Sequence, residues 1–339
     1  MRSVTVIGAG SWGTAVASVL GGKGIATVLW ARSPEVAEGI SAESRNPRYL
    51  TDVTLPSQVS ATTDLEEAVR GADVIVLATP SQAVRAAAES LRPFWDGEAP
   101  VVSLAKGLER GSLLRMTEVL AEVLGTHSRL AALSGPNHAE EVSRAIPTAT
   151  VIAAYDEGVG VALRELFRTP AFRPYTNSDV VGVELAAASK NVIAVAAGMS
   201  DGLGFGDNTK ASLMTRGLAE MSRLGRREGA NPLTYMGLAG MGDLIATCTS
   251  RHSRNRALGE CIARGGSVEQ YETETHMVAE GAVSCLTVDE LGARDGLEMP
   301  ITHQVRVVVY EGAPAGDGVE ALMGRESTDE FHGMDLADQ

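Results

Sequence analysis

The sequence predicts an α/β protein of two domains. A doubly wound parallel sheet is expected over residues 1–178 and an all-helical domain over 179–324. Three observations carry this reading. The chain has 339 residues, more than one typical domain holds. Its first half alternates short β-branched runs with segments of helical period, the pattern of parallel strands with helices on both faces. Beyond Pro174 the strand signal fades, and glycine-rich breaks separate a series of helical patterns.

Strands are expected at 3–7, 26–30, 73–78, 101–104, 129–133 and 148–154. Helices between them are expected at 13–21, 63–70, 81–91 and 113–124. Val74-Ile75-Val76-Leu77-Ala78 is apolar at every position, as a strand covered on both faces should be. The second domain reads as helices at 180–199, 208–227, 232–248, 254–263, 283–293 and 301–310. Residues 325–339 are acidic and without period, and a disordered, solvated tail is expected there.

Composition narrows the function. Forty-three acidic residues against 29 basic ones give a net charge of −14. That argues against non-specific nucleic-acid binding, which needs a broad basic surface, and leaves room for a small anion only where a few bases gather. Cys248, Cys261 and Cys285 form neither a CxxC pair nor an even disulfide framework, and the six histidines show no zinc-ligand spacing. No metal is expected, and a reducing cytoplasmic setting is. No basic start followed by an apolar stretch suggests a signal peptide. The longest apolar stretch, 180–199, is interrupted by Glu184 and Lys190, so no membrane span is expected.

Gly8-Ala9-Gly10-Ser11-Trp12-Gly13 fits G-x-G-x-x-G, directly after a strand and opening a helix. Gly8 would make the tight turn, Gly10 would let backbone approach a pyrophosphate, and Gly13 would let helix and strand pack closely. The helix N-terminus then faces the anion. A Rossmann-like dinucleotide site follows. At the end of the second strand, where NAD-selective sites carry Asp or Glu, stands Arg32. A guanidinium suits a 2′-phosphate, so NADP(H) is favoured with NAD(H) still usable; the other reading of Arg32 is a solvated strand end. Lys106 follows an apolar strand, placed to meet an anion or simply to reach solvent.

Residues 183–198 form a helix apolar nearly all round, with Lys190 at its middle. Such a helix is buried. A desolvated lysine titrates nearer neutrality, which suits a general acid/base; the alternative is a structural lysine paired with a buried carboxylate. Asp243, set among glycines and apolar residues, could bind a substrate hydroxyl, orient Lys190 or cap a helix. In Ser250-Arg251-His252-Ser253-Arg254-Asn255-Arg256, three arginines meet a helix start, which is either an anion site or an N-cap with a solvated basic turn.

The ordered blocks GAGSWGTA from Gly8, SLAKG from Ser103, SGPNHAEE from Ser134, ELAAASKNVIAVAAG from Glu184, GFGDNTKASLMTRGLAEM from Gly204, GLAGMGDL from Gly237, TCTSRHSRNR from Thr247 and VAEGA from Val278 are more specific than any one motif. Along nearly its whole length the chain resembles the soluble bacterial NAD(P)-dependent glycerol-3-phosphate dehydrogenases. The resemblance implies interconversion of dihydroxyacetone phosphate and sn-glycerol 3-phosphate, supplying glycerophospholipid synthesis, by an enzyme expected to be a homodimer. It implies that Lys190 is the proton acceptor in oxidation. It implies substrate ligands at Lys106, Gly135, Asn137, Lys190, Asp243, Ser253, Arg254 and Asn255. Cofactor contacts are implied at Ser11, Trp12, Arg32, Lys106, Ala139, Arg254, Val278 and Glu280, beside Gly8, Gly10 and Gly13. Two positions depart from the family: residue 137 is commonly Ser or Thr, and residue 33, often basic, is Ser. Dehydrogenases of similar build acting on 3-hydroxy acids or 2-ketopantoate share the glycine loop, and the arginine cluster is what separates them from a phosphate-binding enzyme.

Overall fold

The structure is a computed structural model, described over residues 1–275, 277–326 and 329–330. The chain forms two compact units, Met1–Lys106 with Leu114–Val180, and Gly107–Leu113 with Val181 onward.

The first unit runs β1 (Ser3–Ile7), α1 (Ser11–Gly22), β2 (Ala26–Trp30), α2 (Pro34–Glu43), β3 (Val59–Thr62), α3 (Leu65–Val69), β4 (Val74–Leu77), α4 (Val84–Leu91), β5 (Val101–Ser103), α5 (Met116–Leu124), β6 (Leu130–Ser134), α6 (Ala139–Val142), β7 (Thr148–Ala154), α7 (Glu157–Phe167) and β8 (Phe172–Asn177). Its eight strands make one sheet in the order β3-β2-β1-β4-β5-β6-β7-β8. Along β4, Val74 and Val76 join the core beneath α1, α2 and α7, while Ile75 and Leu77 join the core beneath α4 and α5. Two apolar faces are why the strand lacks alternation. The strand order reverses across β1 and β4, the switch point at whose carboxyl edge such sheets bind ligands.

Two expectations are corrected. The sheet is not parallel throughout: β7 pairs antiparallel to β6, because the short link through α6 is no βαβ crossover. Strand structure also persists past Pro174. β8 contains that proline, tolerated because the strand is at the sheet edge. Edge strand β3 and helices α2 and α7 also go beyond the sequence reading.

The second unit is helical: α8 (Val180–Gly202), α9 (Asp207–Arg227), α10 (Pro232–Met236), α11 (Asp243–Thr249), α12 (Arg254–Ala263), α13 (Val268–Thr275), α14 (Glu280–Arg294), α15 (Pro300–Arg306) and α16 (Ala315–Met323). The expected single helix over 232–248 is broken. Gly237 is extended, and Leu238–Gly242 forms a π-turn before α11 begins at Asp243. The helix expected over 301–310 also changes pitch, to a π-turn at Val307–Glu311.

α8 is the axis of this unit. Leu185, Ala188, Val192, Val195 and Met199 serve one core, and Ala186, Ile193, Ala194 and Ala197 serve another. By length and composition α8 could cross a membrane, but 94% of its apolar window is buried inside the fold, as in a core helix. α12 crosses α8 at backbone contact. A Cβ on Gly259 would lie 2.0 Å from the Val195 carbonyl oxygen, and one on Gly198 would lie 1.9 Å from that of Arg256. The tail expected over 325–339 lies mostly outside the described residues; within them Arg325 pairs with Glu298, and Arg216 donates to the Glu330 carbonyl.

Candidate active site

In the first unit the glycine loop follows β1 and opens α1. Gly8 has φ +115°, and a Cβ there would lie 2.7 Å from the Ala78 carbonyl oxygen. A Cβ on Gly13 would lie 1.9 Å from the Gly8 carbonyl oxygen. At Gly10 a Cβ would meet nothing within 4 Å, the space a pyrophosphate needs. α1 has no side-chain cap and no acid in its first turn, so its first N–H groups suit an anion. Ser11 and Trp12, in that turn, are half-buried.

One residue that sequence reasoning missed holds this loop. Asn46, wholly buried, donates to the Ala9 carbonyl and to Thr14 Oγ1, both at 2.9 Å. Its own Oδ1 accepts from the backbone N–H groups of Arg48 and Tyr49, an Asx turn for which Asn46-Pro47 was the available signal.

Arg32 lies exposed just beyond β2. Lys106, after β5, donates to the Gly135 carbonyl at 3.0 Å. Asn137 Nδ2 donates to Thr150 Oγ1 at 2.9 Å, and Thr150 Oγ1 donates to the Ser134 carbonyl at 2.9 Å. The buried atoms Asn137 Oδ1 and Thr79 Oγ1 have no partner among the described residues. Ala139 begins α6 and is buried. An open glycine, an uncapped helix start and the orphaned Thr79 hydroxyl just after β4 fit a dinucleotide.

In the second unit Lys190 Nζ donates to Asp243 Oδ1 at 3.0 Å and to Thr247 Oγ1 at 2.6 Å. Lys190 is 5% exposed, Asp243 2% and Thr247 4%. Asp243 is not the helix cap: Gly242 takes that place, and the π-turn delivers Asp243 into the first turn of α11. Thr247, one turn on, donates to the Asp243 carbonyl at 2.6 Å, so its oxygen must accept from Lys190. Sequence reasoning missed Thr247, whose contact with Lys190 spans 57 residues. The neighbouring Cys248 is pushed up to about 12 by burial and stays a thiol.

Asn255 Nδ2 donates to Asn191 Oδ1 at 2.8 Å, and its Oδ1 accepts from Gly281 N at 2.9 Å. This ties α12 both to the residue after Lys190 and to α14. Asn191 was also missed. Ser253 caps α12 by accepting from Arg256 N, and Arg254 stands exposed on the first turn. Val278 is exposed and Glu280 half-buried at the start of α14.

The three arginines do not converge, which corrects the sequence reading. Arg256 turns inward to Asp201 and Glu260, at 2.7 and 2.6 Å. Asp201 also pairs with Lys210 at 2.6 Å. Burial pushes Asp201 up, but the bonds from Lys210 and Arg256 prevail and hold it below its ordinary range. Arg251 lies exposed beside His252. A run of like charge along the chain does not reveal which way each side chain turns.

A dinucleotide loop at a switch point, joined in one chain to a helical unit with a buried lysine–carboxylate pair, defines a nicotinamide-dependent dehydrogenase. Family models described as the N-terminus and C-terminus of NAD-dependent glycerol-3-phosphate dehydrogenase match residues 3–159 and 179–320. A glycerol-3-phosphate dehydrogenase [NAD(P)+] of Nocardia farcinica is 50% identical over 332 residues, covering 96% of this chain and 98% of that protein. One of Moorella thermoacetica is 47% identical, covering 98% and 99%. The crystal structure of the Coxiella burnetii enzyme superposes with a TM-score of 0.91 at 36% identity, covering 96% of this chain and 99% of that one. The chain belongs to the NAD-dependent glycerol-3-phosphate dehydrogenase family.

Proposed function

We propose that this chain interconverts dihydroxyacetone phosphate and sn-glycerol 3-phosphate with NAD(P)H, using Lys190 as general acid and base. The observation that carries the mechanism is the dry ammonium of Lys190, held by Asp243 and Thr247. The first unit is the dinucleotide-binding domain, expected over 1–178 but without Gly107–Leu113, and the second, which takes in that segment, supplies acid/base and phosphate chemistry.

A nicotinamide cofactor, when bound, would supply hydride-transfer chemistry. Gly8, Gly10, Ser11, Trp12 and Gly13 receive its pyrophosphate end, and Ala139, Val278 and Glu280 add contacts. In reduction, Lys190 donates a proton to the ketone oxygen as the alkoxide develops. In oxidation, the neutral amine takes it back from the secondary hydroxyl. Asp243 keeps the ammonium paired in a dry setting, and Thr247 fixes a second N–H direction. Ser253, whose oxygen caps α12, still has its own hydrogen to donate to phosphate. Arg254 adds a guanidinium, and Asn255 one remaining Nδ2 hydrogen. Lys106, with Gly135 and Asn137, completes the substrate set. Binding energy from the phosphate then positions a carbonyl it does not touch.

Arg32 supports NADP(H) over NAD(H), through a 2′-phosphate it can reach from an exposed strand end. The free thiols of Cys248, Cys261 and Cys285 support a reducing cytoplasm. Leu233 and Met236, each 69% exposed on the helical unit, support a homodimer. The product suits glycerophospholipid synthesis. Steady-state reduction of dihydroxyacetone phosphate, with NADPH and NADH in parallel, tests the reading. Turnover with the phosphate and little with dihydroxyacetone is expected; no turnover with the phosphate overturns it.

A further inference from the structure

Asn137 stands where the family commonly has a hydroxyl, and its surroundings fix which end of its amide meets the ligand. Thr150 has a single hydroxyl hydrogen, committed to the Ser134 carbonyl at 2.9 Å. Thr150 Oγ1 can therefore only accept from Asn137, and the Asn137 group facing it, at 2.9 Å, must be the NH2. Thr150 is fully buried in β7, paired across to Pro174 of β8, so this anchor is part of the sheet. Asn137 Oδ1 is consequently turned away from Thr150. It is buried, with no donor among the described residues. A buried acceptor without a donor is costly unless a ligand supplies one.

The ligand's chemistry selects the donor. In dihydroxyacetone phosphate the carbonyl and the phosphate oxygens only accept, and the phosphate would be repelled by an amide oxygen. The terminal C1 hydroxyl is the one donor this substrate has. We propose that Asn137 Oδ1 is an acceptor dedicated to the C1 hydroxyl of the three-carbon phosphate, and that Thr150 is the positioning residue that enforces this polarity. The inference rests on the substrate contact proposed above for Asn137. A serine or threonine at 137 could rotate to donate or accept. This chain has fixed the choice, and residue 137 determines specificity for a hydroxyl at C1.

The test compares kcat/KM for dihydroxyacetone phosphate with that for acetonyl phosphate, which lacks only the C1 hydroxyl. The wild-type chain should favour the hydroxylated substrate by about tenfold or more, the range expected for a buried acceptor left unpaired. Asn137→Leu and Thr150→Val should bring the ratio to within about twofold of unity, through KM more than kcat. Thr150→Ser, which keeps the hydroxyl chain, should restore the wild-type ratio; because Thr150→Val lies outside the ligand contact, it reads the same geometry if Asn137→Leu does not fold. An unchanged ratio in both variants, with wild-type turnover intact, overturns this inference alone. So does a penalty that appears with NADH and vanishes with the 3-acetylpyridine coenzyme analogue, since Oδ1 would then be serving the nicotinamide carboxamide. Absence of wild-type turnover on dihydroxyacetone phosphate would overturn the proposed function and this inference with it.

Discussion

The Thr247 hydroxyl oxygen lies 2.6 Å from Lys190 Nζ, and its hydrogen is committed to the Asp243 carbonyl one turn back along α11. The threonine therefore acts on the lysine only as an acceptor. With Asp243 it fixes two N–H directions of the ammonium, and hence the third. Lys190→Met is expected to lower kcat by roughly 100- to 10,000-fold with little change in cofactor affinity. Thr247→Val is expected to lower kcat about tenfold, and Thr247→Ser to restore it, because only the acceptor matters. Single-turnover rates check both, and a Lys190→Met enzyme with near-normal kcat would remove the lysine from the chemistry.

Arg254 and Arg256 should behave differently, although only Asn255 separates them. Arg254→Ala is expected to raise KM for dihydroxyacetone phosphate at least tenfold and to leave the melting temperature nearly unchanged. Arg256→Ala breaks the bonds to Asp201 and Glu260. It should cost about 2 kcal/mol of stability, with a smaller effect on KM. Paired steady-state and thermal-melt measurements separate the roles; equal effects of the two substitutions would contradict the division.

Asn46→Ala removes the side chain that holds the Ala9 carbonyl and Thr14. The expected outcome is about tenfold weaker NADPH binding, together with a loss of about 1–3 kcal/mol in stability. Fluorescence titration and denaturant melts measure the two, and an unaltered dissociation constant would show that the loop holds its shape unaided.

Glu220, buried in α9, accepts from Ile301 N at 2.6 Å, Thr302 N at 3.2 Å and Thr302 Oγ1 at 3.1 Å. Burial pushes its carboxyl up to about 7, outweighing the lowering effect of those bonds. A folded-state value above the ordinary 4.5 means that the stability this group contributes is fully present below about 4.5 and lost as pH rises toward 7. Glu220→Gln keeps an acceptor and cannot ionise. It should flatten the fall in melting temperature between pH 4.5 and 7, while its NH2, set against one of the backbone N–H groups, lowers stability at acid pH. A variant that melts lower than the wild type at pH 7, with the slope retained, would show that the anion is the stabilising form.

Much of this molecule can be read from the chain alone, for identifiable reasons. The glycines of the dinucleotide loop are legible because each answers a separate steric demand, of which Gly8 and Gly13 now show the closest contacts. Lys190 is legible because a charge amid an unbroken apolar run needs a reason. Thr247 and Asn191 are not, since a polar residue on a helix has the same spacing whether it faces solvent or a lysine. Asn46 lies 37 residues from Ala9 in sequence, and no local pattern records that reach. β8 hides behind Pro174, because the rule against proline in strands yields only at a sheet edge, and edges are decided by topology.

The seam where Gly198 and Gly259 bring α8 and α12 together has one more implication. With bare peptide on both sides, no side chain is left to trim or lengthen there. The seam acts as a ruler, setting in rigid polypeptide the gap from Lys190 on α8 to the Ser253–Asn255 turn that opens α12. Lineages that drift toward longer phosphorylated ketones would have to alter the rods themselves, and cannot do so by swapping a residue on their surfaces.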